Sequence, residues 1–258
     1  MTLRLFRIIC VVLIVAGLLG IPLTASAADY SKTINSNGCV ITVHSSTDAQ
    51  QAKQDVDNVA ATLQKLLDKS ADMVKKVTEA CKNNGNAITI NVWRDDPSVT
   101  MGQWVHGAAG ASGHMDVDLG DIAAIKSNMT GPADEVNTLA DNMLTDVLAH
   151  EFDHARGAGH SDPADDSVKG PAVEDANTVL SQMGVPASRN AYRERDKNGN
   201  VTIPYTVNGK SVVISATTFV KSRSESHKFF DPVDTPVDSE LFLLIPDHPC
   251  APAESSGC

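Results

Sequence analysis

The chain has 258 residues, of which 42% are hydrophobic, enough for one domain with a sizeable core. The formal charge of −11 at pH 7 argues against nucleic acid or an anionic membrane surface as a partner. A solvated acidic surface on an exported protein accounts for this charge better than a preference for cationic substrates.

Residues 1–27 have the organisation of a secretory signal peptide. Arg4 and Arg7 form a basic start, an apolar run follows, and Ala25-Ser26-Ala27 is a small-residue cleavage site. We expect a mature chain from Ala28 with a formal charge of −13, because 19 basic and 32 acidic residues then remain. Such a chain is secreted or periplasmic and has no stable membrane anchor after cleavage. An uncleaved anchor is the alternative, although the apolar run is short for a membrane span.

Four cysteines remain once the leader is removed, an even number that fits disulfides in an oxidising compartment. Three pairings are open, and we favour Cys39–Cys81 with Cys250–Cys258 because each pair brackets one structural unit. None lies in a C-x-x-C arrangement, so neither a cysteine zinc site nor a thioredoxin-like redox role is expected.

Strand and helix patterns alternate in the first part of the mature chain. β-Branched residues predict a strand at 39–43, and apolar stripes predict helices at about 47–67 and 71–81. Alternation of apolar and polar residues predicts strands over 87–93 and 115–119. These elements predict an α+β fold.

A longer helix is predicted from Gly131-Pro132 and carries an apolar stripe. The stripe consists of Val136, Leu139, Met143 and Val147. His150 and His154 continue it by steps of three and four, which places them at the edge of the core on the floor of a cleft. Asp141, Asp146 and Asp153 fall largely off the stripe and are expected to be solvated. A bond from Asp153 to a ligand histidine is less favoured, because residues next to a ligand point away from it.

The C-terminal part begins with a helix predicted from Pro171 to about Met183. Asn208-Gly209 lies between two β-rich runs and predicts a hairpin. The last residues, 246–258, are rich in proline and small residues and are expected to be a polar tail.

The end of the long helix carries the pattern H-E-x-x-H-x-x-G-x-x-H, which runs from His150 to His160. Histidines four residues apart on a helix, here His150 and His154, can bind one metal ion, and Glu151 lies where it can polarise a water on that ion. Gly157 can end the helix and turn the chain back, so that His160 arrives as the third ligand. Three protein ligands with an open fourth position are typical of catalytic Zn²⁺, although these ligands also suit iron, nickel or copper.

These residues resemble the zincin metallopeptidases, and the longer pattern matches the metzincin clan at every fixed position. The resemblance implies one zincin-like domain over residues 28–258. Its upper part, about 28–157, would hold a twisted mixed sheet, a backing helix and the active-site helix. Its lower part, about 158–245, would contain the hairpin and precede the tail.

The resemblance also suggests two supporting residues. Metzincins place a methionine in a tight turn under the metal, and Met183 is the candidate, with an ordinary core methionine as the alternative. The block 174–192 is similar to a region that follows the zinc motif in bacterial secreted-effector zincins. In that family the position of His160 is usually aspartate, and a tyrosine near the position of Tyr192 reaches the metal site. Tyr192 would then stabilise the oxyanion or hold the metal-bound water, whereas a packing tyrosine is the alternative.

The leading hypothesis is an exported zinc metalloendopeptidase that acts on a protein or peptide substrate, with Glu151 as the general base. One alternative is a non-catalytic zincin-like metal-binding or interaction module, which has no use for Glu151. Another is a metal-dependent hydrolase of a non-peptide substrate. No pro-segment or zinc-blocking cysteine is evident, so latency would need a partner such as an inhibitor protein. The glycine-rich stretch 107–113 could line the cleft as an edge strand that pairs with an extended peptide.

Overall fold

The structure is a computed structural model that describes residues 29–216, except 47–48, 95, 97–100, 108–111, 158, 161, 196–197 and 199. The predicted signal peptide, the Cys250–Cys258 pair and the tail lie outside the described residues. Among the helices of the described part, none is long and apolar enough to span a membrane.

The first sheet is mixed and has five strands in the order β1-β2-β3-β5-β4. Its strands are β1 (Tyr30–Ser36), β2 (Cys39–Ser45), β3 (Ala87–Trp93), β4 (Gly102–Val105) and β5 (His114–Asp118). β2, β3 and β5 run parallel, whereas β1 and β4 pair antiparallel with their neighbours at the two edges. The strands predicted at 39–43, 87–93 and 115–119 are therefore present.

Two helices pack against this sheet, α1 (Ala49–Lys69) and α2 (Ala71–Asn83). The hydroxyl of Ser70 caps α2 by accepting a hydrogen bond from the N–H of Met73. A disulfide joins Cys39 at the start of β2 to Cys81 near the end of α2, which confirms that predicted pair. This disulfide is compatible with an extracytoplasmic protein.

The remaining helices are α3 (Leu119–Ala124), a 3-10 turn (Ile125–Asn128), α4 (Ala133–Asp141), α5 (Met143–His154) and α6 (Gly170–Gln182). The long helix predicted from Gly131-Pro132 is thus divided into α4 and α5 at Asn142. Asn142 leaves the helical region, with φ −111 and ψ 7, and its side-chain amide donates to the carbonyl of Thr138 at 2.8 Å. Such side-chain bonds to the backbone compete with the helix and explain the break.

The second sheet is antiparallel and has the order β6-β10-β9-β7. Its strands are β6 (Met129–Thr130), β7 (Ala187–Arg189), β9 (Val201–Val207) and β10 (Lys210–Ser215), and β8 (Glu194–Arg195) also pairs with β9. Asn208 and Gly209 have φ of 50 and 75, as a two-residue hairpin turn requires, so the predicted hairpin is confirmed. The fold is α+β with one mixed sheet.

Helix α5 lies between the two hydrophobic cores of the described chain. Leu148 and Phe152 belong to the core under the first sheet, whereas Met143 and Val147 belong to the core of the second. All of its residues are buried. The expectation that Asp146 and Asp153 are solvated is therefore wrong: they are 5% and 0% exposed, because both cores cover the helix.

Candidate metal centre

His150 and His154 lie side by side at the end of α5, with their Nε2 atoms 3.1 Å apart. Nδ1 of His154 lies 2.6 Å from the backbone oxygen of His160. A carbonyl can only accept, so the proton of a neutral His154 ring lies on Nδ1 and the lone pair of Nε2 faces His150. Burial, followed by the charge of His150, lowers the pKa of His154 to about 4, so this ring is neutral at physiological pH.

Asp162 brings a third ligand atom to the histidine pair. Its Oδ1 lies 3.4 Å from Nε2 of His150 and 3.5 Å from Nε2 of His154. This buried oxygen has no well-aligned hydrogen-bond partner among the described residues. Burial alone would raise the pKa of Asp162, but contact with His150 and the charges of both histidines hold it below its usual value. An ionised oxygen and the lone pair of a neutral imidazole therefore converge on one point, which Nε2 of His150 also faces.

The spacing of these three atoms fits a bound divalent cation. Two ligands of a tetrahedral zinc ion lie about 3.3–3.5 Å apart, given bonds of about 2.0–2.2 Å. The observed separations are 3.1, 3.4 and 3.5 Å. Without a cation, one proton on Nε2 of His150 would have to serve both the Asp162 oxygen and Nε2 of His154 in a buried site, and Nδ1 of His150 would still have no hydrogen-bond partner among the described residues. His150, His154 and Asp162 thus form a suitable donor set for a metal.

The ring of His160, predicted as the third ligand, points elsewhere. Its Nδ1 lies 3.1 Å from Oδ2 of Asp153, and it groups with Asp153 and Asp175 rather than with the histidine pair. Only the backbone carbonyl of His160 contacts His154. Gly157 turns the chain as expected, with φ 94, but Gly159 adds a second turn with φ 92. The chain therefore returns to the histidines two residues later than the motif alone predicts.

Asp153 lies at the centre of a charged cluster in which two cations, Arg156 and Lys76, already face its carboxylate. Its Oδ1 is 2.6 Å from Nη1 of Arg156 and 3.6 Å from Nζ of Lys76. Arg156 also pairs with Glu79 and Asp175, each at 2.7 Å. Burial opposes ionisation of Asp153, but the charge of Lys76 and hydrogen bonds with its neighbours hold its pKa below the usual value. Two cations occupy the positions that a metal would need here.

Glu151 is the buried carboxylate beside the histidine pair. One of its oxygens and the ring nitrogens of His150 and His154 lie within 4.8 Å of one another. Its Oε2 is buried and has no hydrogen-bond partner in the part of the chain that the structure describes. Burial raises the pKa of Glu151 to about 7. A carboxylate with this pKa can exchange a proton near neutral pH.

The edge strand β4 lies directly against α5. A Cβ on Gly102 would stand 2.5 Å from Cγ1 of Val147 and 3.3 Å from Cγ of Glu151, so only glycine allows this approach. β4 pairs with β5 on one side and ends the sheet on the other, within the described residues. The edge strand beside Glu151 is thus Gly102–Val105, which precedes the predicted stretch 107–113, most of which lies outside the described residues.

Tyr192 reaches the site through Asp162. Its ring stacks on that of His150, with centroids 6.4 Å apart and an interplanar angle of 15°. Burial, followed by the charge of Asp162, raises its pKa well above the usual value, so the hydroxyl stays protonated where it faces the Asp162 carboxylate. Arg189 and Arg193 lie over the same ring, 5.0 and 5.3 Å from its centroid. A direct role for Tyr192 in catalysis stays a prediction.

Met183 caps the C-terminal end of α6 and packs against the core under the first sheet. This placement accounts for it as an ordinary core methionine. Met101 and Met143, rather than Met183, line a cavity together with His150 and Glu151. A Met-turn formed by Met183 gains no support from this arrangement.

That cavity has a volume of about 30 Å³, room for one or two water molecules. Its polar part includes Asp146, Arg189 and Tyr205, and the hydroxyl of Tyr205 donates to Oδ2 of Asp146 at 2.6 Å. His150 and Glu151 form part of the same wall. The cavity therefore lies between His150 and Glu151 on one side and the core of the second sheet on the other.

The chain matches no protein-family model, no curated protein and no solved structure. The class of site is therefore argued from its own geometry, which combines two histidines and an aspartate around one point with a buried glutamate beside them.

Proposed function

We propose that the protein is an exported zinc-dependent peptidase of zincin type, in which His150, His154 and Asp162 hold the metal. The observation that supports this most strongly is the convergence of three ligand atoms at 3.1–3.5 Å next to a buried Glu151. A structural zinc site has four protein ligands, whereas three ligands and an adjacent base are typical of a catalytic one. A non-catalytic module would not need a buried carboxylate beside the metal, so this alternative does not explain the burial of Glu151.

The chemistry follows from the positions of the chain's own groups. Zinc at such a site acts as a Lewis acid and lowers the pKa of a water towards about 7. Glu151 accepts a proton from the attacking water and passes it to the leaving amine. In the metal-free protein, burial already brings its pKa to about 7, close to neutral pH. Tyr192 keeps its proton where it faces the Asp162 carboxylate.

The edge of β4 favours a peptide over other substrates. A free strand edge presents N–H and C=O groups that pair with an extended peptide. Gly102 in this strand lies against Glu151, since a Cβ there would stand 3.3 Å from Cγ of Glu151, so a peptide paired with β4 would lie close to the proposed base. This arrangement would bring a peptide carbonyl to the metal centre without further binding elements.

Glu151→Gln tests the mechanism, because the amide preserves shape but cannot accept the proton. We expect the wild-type protein to cleave members of a proteome-derived peptide library. This cleavage should stop when a chelator is added and should return when Zn²⁺ is restored. Glu151→Gln should keep the metal and lose cleavage by about 100-fold or more. Glu174→Gln, an exposed change on α6, is the matched control and should behave as wild type.

Two results would contradict the proposal. Equal cleavage by Glu151→Gln and wild type would show that Glu151 is not the base. Zinc binding by wild type without cleavage of any library member would favour a non-catalytic module or a non-peptide substrate.

A further inference from the structure

We propose that Asp153 and His160 act as a positioning pair, which fixes both the orientation of His154 and the path of the loop that carries Asp162. This inference rests on the proposed metal centre and assigns His160 a role other than that of a ligand.

Asp153 provides the fixed end of the pair. It is fully buried on α5, and Arg156 and Lys76 hold its Oδ1. Nζ of Lys76 also donates to the carbonyl of Ala149 at 3.1 Å, so Lys76 ties α2 to α5 on both sides of His150. Oδ2 of Asp153 is left to contact Nδ1 of His160. The carboxylate is thus held by residues outside the loop whose position it controls.

His160 is held by three contacts. Its ring contacts Asp153 at 3.1 Å, and its backbone oxygen accepts from Nδ1 of His154 at 2.6 Å. Its N–H donates to the carbonyl of Gly157 at 3.2 Å, which closes the turn. Gly157 and Gly159 both have positive φ, and glycines give the unfolded loop many alternative paths. The contact with Asp153 selects one of these paths.

Two ligands depend on where His160 lies. Its carbonyl sets the tautomer and ring orientation of His154, and Asp162 follows two residues later in the same loop. Groups that orient metal ligands in this way typically change metal affinity about 10–100-fold when removed. Loss of the His160 ring should therefore weaken the metal site even though this ring donates no ligand atom.

Zn²⁺ affinity, measured by competition with a chromophoric chelator, tests the pair. We expect His160→Ala to bind Zn²⁺ about 10–100-fold more weakly than wild type. His160→Asn should recover most of that loss, because its amide can donate to Asp153 in place of the ring. His114→Ala is the matched control, since His114 is also a partly exposed histidine near a carboxylate, 3.5 Å from Asp116, but in β5. The His114→Ala variant should bind Zn²⁺ with the same affinity as the wild-type protein.

Proton NMR of the Co²⁺-substituted protein separates positioning from ligation. We expect one shifted, exchangeable imidazole N–H signal for each of His150 and His154, and both should persist in His160→Asn. Loss of a signal in His160→Asn, with Zn²⁺ affinity as weak as in His160→Ala, would make His160 a ligand and overturn the inference. Unchanged affinity in His160→Ala would also overturn it. Failure of the wild-type protein to bind Zn²⁺ or Co²⁺ would instead refute the proposed metal centre itself.

Discussion

Oδ1 of Asp162 lies 3.4 Å from Nε2 of His150, a separation typical of two ligands on one metal ion. Both side chains are buried, and this oxygen finds no other well-aligned partner among the described residues. The relationship makes Asp162, rather than His160, the third member of the candidate site.

Asp162→Ala should abolish tight Zn²⁺ binding. The change removes a ligand atom, so the loss should exceed the roughly 10–100-fold that is typical of a supporting residue. Asp165→Asn changes an exposed carboxylate of the same loop, which accepts from the N–H of Ser167 at 3.0 Å, and should leave the affinity unchanged. Equal Zn²⁺ affinity of Asp162→Ala and wild type, measured by chelator competition, would exclude Asp162 as a ligand.

Tyr192→Phe should weaken Zn²⁺ binding and reduce hydrolysis. The ring can still stack on His150, but the hydroxyl that faces Asp162 is lost, so the ligand is held less firmly. We expect Zn²⁺ affinity and peptide cleavage each to fall by about tenfold or more. Tyr205→Phe removes another buried hydroxyl, which bonds to Asp146 rather than to a ligand, and should lower stability with little effect on Zn²⁺ affinity. Full activity in Tyr192→Phe would reduce Tyr192 to a packing residue.

In the metal-free protein, the burial of Glu151 should make the free energy of unfolding depend on pH. Burial raises the pKa of Glu151 from its ordinary value of 4.5 to about 7. Its contribution to stability is therefore fully present below pH 4.5 and is lost as the pH rises through about 7. His154 acts in the opposite sense: with a pKa lowered from 6.5 to about 4, its contribution is present above pH 6.5 and is lost as the pH falls through about 4.

Glu151→Gln separates these opposing effects, because the amide does not titrate. In chelator, the free energy of unfolding of the variant minus that of wild type should rise between pH 4.5 and about 7. A pKa shift of this size corresponds to an increase of about 3 kcal/mol. Denaturant titrations at several pH values measure this difference. A difference that stays constant across the range would mean that Glu151 is solvated.

The Cys39–Cys81 disulfide should stabilise the first sheet and its helices. Its sequence separation is 42 residues, and a loop of that length gives about 4 kcal/mol in the chain-entropy model. Replacing both cysteines by alanine should lower the free energy of unfolding by about this amount, as measured by denaturant titration. Zn²⁺ affinity of the folded variant serves as the control and should be retained, because neither cysteine contacts the ligands. An unchanged free energy of unfolding would contradict the expectation that this disulfide stabilises the fold.

Local periodicity predicted the elements that bury one face, such as β2, β3, α1 and the final hairpin. β1 was missed, although Asn37-Gly38 carries the same turn signal as Asn208-Gly209, because most of its residues are exposed at the edge. β4 has four residues, and only its pairing with β5 makes it a strand. The burial of Asp146 and Asp153 depends on the second sheet and on α2, which lie far away in the sequence.

In the candidate site, too, local spacing predicts some residues, whereas others depend on contacts that local spacing does not contain. His150, Glu151 and His154 follow from spacing on a single helix, and the structure brings them together. The third ligand depends on the path of a loop, which is set by Gly157, Gly159 and a contact with Asp153. No local pattern contains that information, so the sequence predicted His160 where the structure places Asp162.

X-ray absorption spectroscopy of the zinc-loaded wild-type protein tests the central claim most directly. The account predicts one tightly bound Zn²⁺ per chain, with nitrogen from His150 and His154, carboxylate oxygen from Asp162 and a further light-atom ligand that substrate or water can replace. A zinc shell with three imidazoles would contradict the assignment of Asp162, and a protein that binds no stoichiometric zinc would contradict the metal centre as a whole.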